Sequence, residues 1–357
     1  MNPKISIILP TATKQSDIEL KLNQIKEGIK NTNDTIFNDE FINLCNEIVL
    51  PVEHFLEITL LALRKQIFKE FELIIVHKYP EDALDIVKKY PDIKVKLIKE
   101  KDSVWHKYKR PTHSGSINTG FIYADGELLI RLDDFEFFNE FYLQEMWNTW
   151  KQKKSYITSK VVRRIKYDKD KYDEPRNIEY IGNKIKVINN GWYGVEKPIS
   201  TNKEISKHMT WGHSSSVSLR DILKINGHDE VFDGNIDGND MELGYRLYYS
   251  SRHKRYVSDN WVYELDCSTS NKGKTKFRDD IYLRNIVNPI SEYNFPRHIV
   301  ANKYKPKESE LKEYETYHKK MYGELNPNWK KFMESPMYDL KEERRKKVLG
   351  KLIYTNI

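Results

Sequence analysis

The sequence predicts an α/β protein with a mostly parallel central sheet flanked by helices, and three observations carry that prediction. Short β-branched runs alternate with helically spaced apolar stretches from residue 4 to residue 138. The first run, KISIIL at 4–9, is continuously apolar and stops at Pro10-Thr11, as a buried strand does. Polar or acidic residues follow the runs: Thr11, then His77-Lys78, then Asp133-Asp134-Phe135-Glu136. In an open α/β sheet, ligands bind outside such carboxyl ends.

The elements follow in order. Residues 16–30 carry apolar positions at Ile18, Leu22, Ile25 and Ile29, a helical spacing with Ser16 as N-cap. A polar linker over 31–40 leads to a stronger helix at 52–68, with Pro51 read as its first position. FELIIVHKYPED reads as a strand ending in a proline turn, 82–90 as a helix, and 93–98 as a third strand. HSGSINTGFIYADGELLIRL supplies a helix and the strand ELLIRL, and 139–152 a helix carrying Trp147 and Trp150. Residues 155–200 read as strands and loops. Beyond Cys267 the chain turns polar and charged, and 271–357 reads as a helical C-terminal extension separate from a domain over 1–270.

Composition narrows the function. With 39% hydrophobic and 32% charged residues the chain is globular. Its 60 basic residues are interleaved with 53 acidic ones, so the net charge of +7 does not imply nucleic acid. Two cysteines, Cys45 and Cys267, exclude a disulfide framework. MNPKISIILP reads as a strand and not as a signal peptide, and no apolar run approaches a membrane span, so a cytoplasmic protein is expected. The basic run at 344–347 reads as a solvated helix end, with peripheral membrane contact as the alternative.

Two stretches carry candidate chemistry. The corner at 133–136 suits a hard divalent cation that shares carboxylates with substrate phosphates; the alternative is a plain strand end that caps the next helix. The stretch GHDEVFDGNIDGNDMELGYRL at 227–247 sets five carboxylates (Asp229, Glu230, Asp233, Asp237 and Asp240) among glycines in its first fourteen residues and runs into an apolar-spaced helix. Such a cluster is either ordinary turn chemistry or an active-site loop.

Four blocks resemble family 2 inverting glycosyltransferases of the GT-A fold, nearest to the chondroitin-polymerase-like and polypeptide-GalNAc-transferase-like branch. They are ISIILPTAT, LALRKQIFKEFELIIV, SGSINTGFIYADGELLIRLDD and WGHSSSVSLRDILKINGHDEVFDGNIDGNDMELGYRL. Together they span 4–266, with an insertion at about 14–50. The resemblance implies a metal-dependent transfer from a nucleotide-diphosphate-sugar to a hydroxyl of a glycan or other acceptor, with inversion, as in polysaccharide biosynthesis. A non-catalytic sugar- or nucleotide-binding module of the same fold is the alternative.

Position by position, the resemblance makes Asp240 the catalytic base. It puts Pro10, Thr11, His77, Asn118, Asp133 and Asp134 at the donor, and Trp211, Gly212 and Asn239 at the sugar and acceptor. The DxD-like corner would hold Mn²⁺ or Mg²⁺ through Asp133, Asp134 and Glu136, with Glu264 in place of a late histidine. His77-Lys78 stand where the family has Asp-Asp, and Ile117 where it has an arginine, so the base of the donor, most simply UDP, is left open. The general base and the metal-bound diphosphate sit on opposite sides of one sugar, which is why both clusters need carboxylates.

Overall fold

The computed structural model describes residues 3–11, 22–23, 26, 39–103, 106, 112–154, 156–165, 178–181, 184–187, 204–205, 214–228, 230, 233, 239–240, 243–244, 247, 255–265, 340–347 and 350–357. The first half alternates strand and helix. β1 (Ile5–Thr11), β2 (Phe71–His77), β3 (Val95–Lys99) and β4 (Leu128–Arg131) are separated by α1 (Asp39–Leu44), α2 (Phe55–Arg64), α3 (Pro80–Lys88) and α4 (His113–Tyr123). Then follow β5 (Glu136–Phe138), α5 (Tyr142–Lys153), β6 (Tyr156–Ile165), the hairpin β7 (Ile178–Ile181) and β8 (Lys184–Val187), and β9 (Glu204–Ile205). The chain continues through β10 (Ser215–Ser218), α6 (Leu219–Ile225), β11 (Arg255–Leu265), α7 (Leu340–Lys346) and β12 (Lys351–Thr355).

The sheet runs β12-β3-β2-β1-β4-β10-β6-β11-β5, with β9 beside β11. Its core, β3-β2-β1-β4, is parallel, and β10 and β12 pair antiparallel at its two sides. After β1 the chain moves to β2 on one side, yet β4 lies on the other. The order therefore reverses between β1 and β4, and a crevice opens there at the carboxyl ends.

Alternation along β1 divides the core between the two faces. Ile5, Ile7 and Leu9 pack with α2, α3 and α5, while Ile8 packs with Ile117, Phe121 and Ile122 of α4. α4 is buried almost throughout because the sheet covers one side of it and α7 packs against it as well. Its approach to β1 depends on Gly120, where a Cβ would sit 2.5 Å from Ile8 Cγ2.

Several sequence expectations shift. The second predicted helix begins at Phe55 and not behind Pro51, because His54 is its N-cap: His54 Nδ1 accepts from Leu56 N–H, and Glu57 reaches back to the His54 amide. Asp39–Leu44 and a π-helical turn at Cys45–Val49 precede it, so the end of the predicted linker is already helical. Most of the predicted helix at 16–30 lies outside the described residues, as do the segments beyond Cys267 up to 339. β12 joins the sheet beside β3, and Leu340 is fully buried with the α4 core, so 340–357 is part of the main fold.

Candidate active site

Because the core strands are parallel, Thr11, His77, Glu100 and Asp133 emerge at one edge of the sheet. The crevice between β1 and β4 is bridged directly: Thr11 Oγ1 donates to Asp134 Oδ2. The 133–136 corner is a tight turn into β5, closed by Glu136 N–H to Asp133 O at 3.4 Å and pinned by Thr59, whose hydroxyl donates to both carbonyls at 3.0 and 2.9 Å.

Arg131, the last residue of β4, gathers the two acidic stretches. Its Nη1 donates to Asp240 Oδ1 at 2.9 Å, and its Nη2 lies 3.6 Å from Asp133 Oδ1. The guanidinium is buried, with 5% of the side chain exposed, whereas Asp133 and Asp240 keep 20% and 22% of theirs open. The sequence reading missed Arg131. The signal was there: a charged residue inside an apolar strand that ends in acidic residues.

Asp233, seven positions before Asp240, is held by α4. Asp233 accepts from Ser114 N–H at 2.7 Å and Gly115 N–H at 3.0 Å, capping a helix whose own N-cap, Thr112, makes no side-chain cap bond. Burial, with Glu230 nearby, raises the Asp233 pKa well above the carboxylate range. Glu230 pairs with buried Lys101 at 2.5 Å and accepts from Asn118 Nδ2 at 2.8 Å. Thr112 is instead engaged by Glu100, which also accepts from Ser116 and contacts His106.

The other expected donor residues separate. His77 is 1% exposed; its Nδ1 accepts from Tyr79 N–H at 2.8 Å, and burial lowers its pKa to about 4. It is therefore a neutral imidazole whose proton sits on Nε2. Pro10 and Thr11 stand in register with Val76 and His77. Asn118, expected at the donor, bonds to the backbone of His228. It is buried, with Oδ1 accepting from His228 N–H at 2.8 Å and Nδ2 donating to His228 O at 2.9 Å. Gly227, at φ +71°, lies so close to Asn118 Oδ1 that no side chain fits there. Asn239 is buried beside Asp240, and Trp211 and Gly212 lie outside the described residues.

The expected metal ligands also divide. Arg131 contacts Asp133 and Asp240, and Asp134 adjoins Asp133 in the same corner, a set of oxygen donors of the kind that suits a divalent cation at Asp133 and Asp134. Glu136 does not fit as a ligand: it is fully buried, with Oε1 accepting from Ser214 at 2.8 Å and Oε2 from Asp133 N–H at 3.0 Å. Glu264 stands opposite Glu136 in the β11–β5 register. Among the described residues, no three His, Cys, Asp or Glu side chains form a ready-made metal cage.

A parallel-cored α/β sheet with acidic residues at its order reversal has the architecture in which ligands bind at the carboxyl ends of the strands. Residues 41–215 match the family profile described as Glycosyl transferase family 2. Asp240 and Thr11 lie outside the matched range. No curated protein matches the chain. Among solved structures, S. aureus TarS 1–349 is similar at 15% identity and TM-score 0.47, covering 89% of this chain and 72% of that one. Its complex with UDP-GlcNAc is similar at 14% identity and TM-score 0.45, covering 89% and 73%. The mannosyltransferase PcManGT from Pyrobaculum calidifontis, in complex with GDP-Man and Mn²⁺, is similar at 10% identity and TM-score 0.41, covering 96% and 70%.

Proposed function

We propose that the chain moves a sugar from a nucleotide-diphosphate-sugar to a hydroxyl of a glycan or other acceptor, with inversion and with help from a divalent metal. One observation carries this reading. Asp240 and Asp133, far apart in sequence, converge on Arg131 at the crevice between β1 and β4. Asp240 would deprotonate the acceptor hydroxyl as it attacks the anomeric carbon, a role worth ~10²–10⁴-fold. Asp133 and Asp134 would hold Mn²⁺ or Mg²⁺, which when bound offsets the charge developing on the departing diphosphate. The transferase domain in this reading comprises 1–270 together with the returning 340–357.

The test is incubation with a panel of nucleotide-sugars and Mn²⁺, reading nucleotide release and the anomeric configuration of the product. Asp240→Asn should cut turnover by about 10²-fold or more; full activity would remove it as the base. Asp133→Ala should abolish metal-dependent donor binding in calorimetry, and unchanged binding would remove the metal role. Donor binding without turnover on any acceptor would favour a binding module instead.

A further inference from the structure

We propose that Arg131 is a positioning residue for transfer, a clamp that sets the Asp240 carboxylate at a fixed place relative to the donor corner. The inference rests on Asp240 being the base and deepens that reading.

The clamp is anchored through its backbone. Arg131 pairs with Ile8 of β1 on one side and with Ser215 of β10 on the other, and its carbonyl accepts from Ser214 N–H at 2.7 Å. Its side chain leaves the most constrained part of the sheet and reaches a helix start 109 residues away. Upstream of Asp240, Glu230 is tied to Lys101 and Asn118, and Asp233 to α4. Arg131 thus links Asp240 directly to Asp133. A guanidinium suits the task because its planar fork presents donors in fixed directions, so one group addresses two carboxylates at once. A lysine, as a single point charge, reproduces the charge but not the fork. Burial keeps Arg131 away from substrate, while Asp240 stays partly open, so Arg131 acts through the base. The contribution is geometric: displacing a reacting group by ~1 Å can cost ~10²-fold in rate.

The experiment compares Arg131→Gln, Arg131→Lys, Asp240→Asn and the double variant Arg131→Gln/Asp240→Asn in full-length protein, measuring kcat, donor KM and thermal melting. Arg131→Gln should lower kcat by about 10²-fold with donor KM changed less than about threefold, and Arg131→Lys should recover part of the loss. In the Asp240→Asn background the same change should cost less than about threefold, because residues that act as a unit do not add. The proposal is overturned if Arg131→Gln keeps its kcat, if donor KM rises with kcat intact, or if the two losses multiply. It is also overturned if Lys and Gln lose activity equally and in proportion to lost folded protein. Full activity of Asp240→Asn would instead overturn the base assignment. Loss in Asp240→Asn with none in Arg131→Gln would overturn only the clamp.

Discussion

His77 shows how one buried side chain ties stability to pH. Its pKa, about 4 in the fold against 6.5 as the ordinary value, is lowered by burial at the end of β2. The unfolded chain therefore binds a proton that the folded one refuses between pH 6.5 and 4. The stability this neutral imidazole confers is present above pH 6.5 and drains away as pH falls through that window, by roughly 3 kcal/mol in total. Replacing His77 by Gln should flatten the slope of unfolding free energy against pH between 6.5 and 4, measured by urea titration; an unchanged slope would show that other groups set it. From sequence, only the position of His77 at a strand end was legible. Its protonation state depends on burial by neighbouring elements and on an amide two residues ahead, neither of which spacing reveals.

At the scale of elements, the recurring device is a helix capped from a distance. α5 takes a cap from Gln66, whose Oε1 accepts from Leu143 N–H at 2.9 Å, and α4 takes one from Asp233. Such caps couple two parts of the chain in one contact. Asp233→Ala should lower stability by roughly 1–3 kcal/mol, since two amides in the first turn of a buried helix lose their acceptor. The unfolding midpoint in urea should fall with the slope unchanged; an unmoved midpoint would show that the cap is dispensable. These caps explain why the sequence reading succeeded unevenly. The strands β1 to β4 and helix α4 were legible because periodicity is local. The start of α2 was misjudged because Pro51 mimics a first helical position, while the His54–Glu57 box three residues later carries the signal. The role of Asp233 was left unassigned because its partners lie 118 and 119 positions upstream. Within the candidate site, the acidic ends could be named from sequence; the bonding of Asn118 to His228 and the bridging by Arg131 could not, since both depend on which strands become neighbours.

Across the whole molecule, the C-terminal segment acts as a strap. Leu340 is buried beside α4, and its N–H donates to Asn226 Oδ1 at 2.6 Å just ahead of the acidic loop. Arg344 donates to the terminal carbonyls of α4, and Arg345 and Lys346 pair with Glu342, so part of the basic run is spent within the fold. β12 then covers the outer edge of β3. Removing 340–357 should destabilise the protein by at least about 3 kcal/mol, from the buried Leu340 side chain and the lost pairing. It should also produce concentration-dependent association through the uncovered strand edge. Calorimetric melting with light scattering reads both, and an equally stable monomer would show the strap to be incidental.

The pairing of β12 with β3 also has a consequence during synthesis. Val95 N–H is satisfied by the side chain of Asn356, 261 positions later. At ~5–20 residues per second, a ribosome needs tens of seconds to cover that distance. Throughout that interval the nascent sheet presents an open parallel edge made of Val95, Leu97 and Ile98. Until β12 arrives, that edge can pair with a strand of another chain.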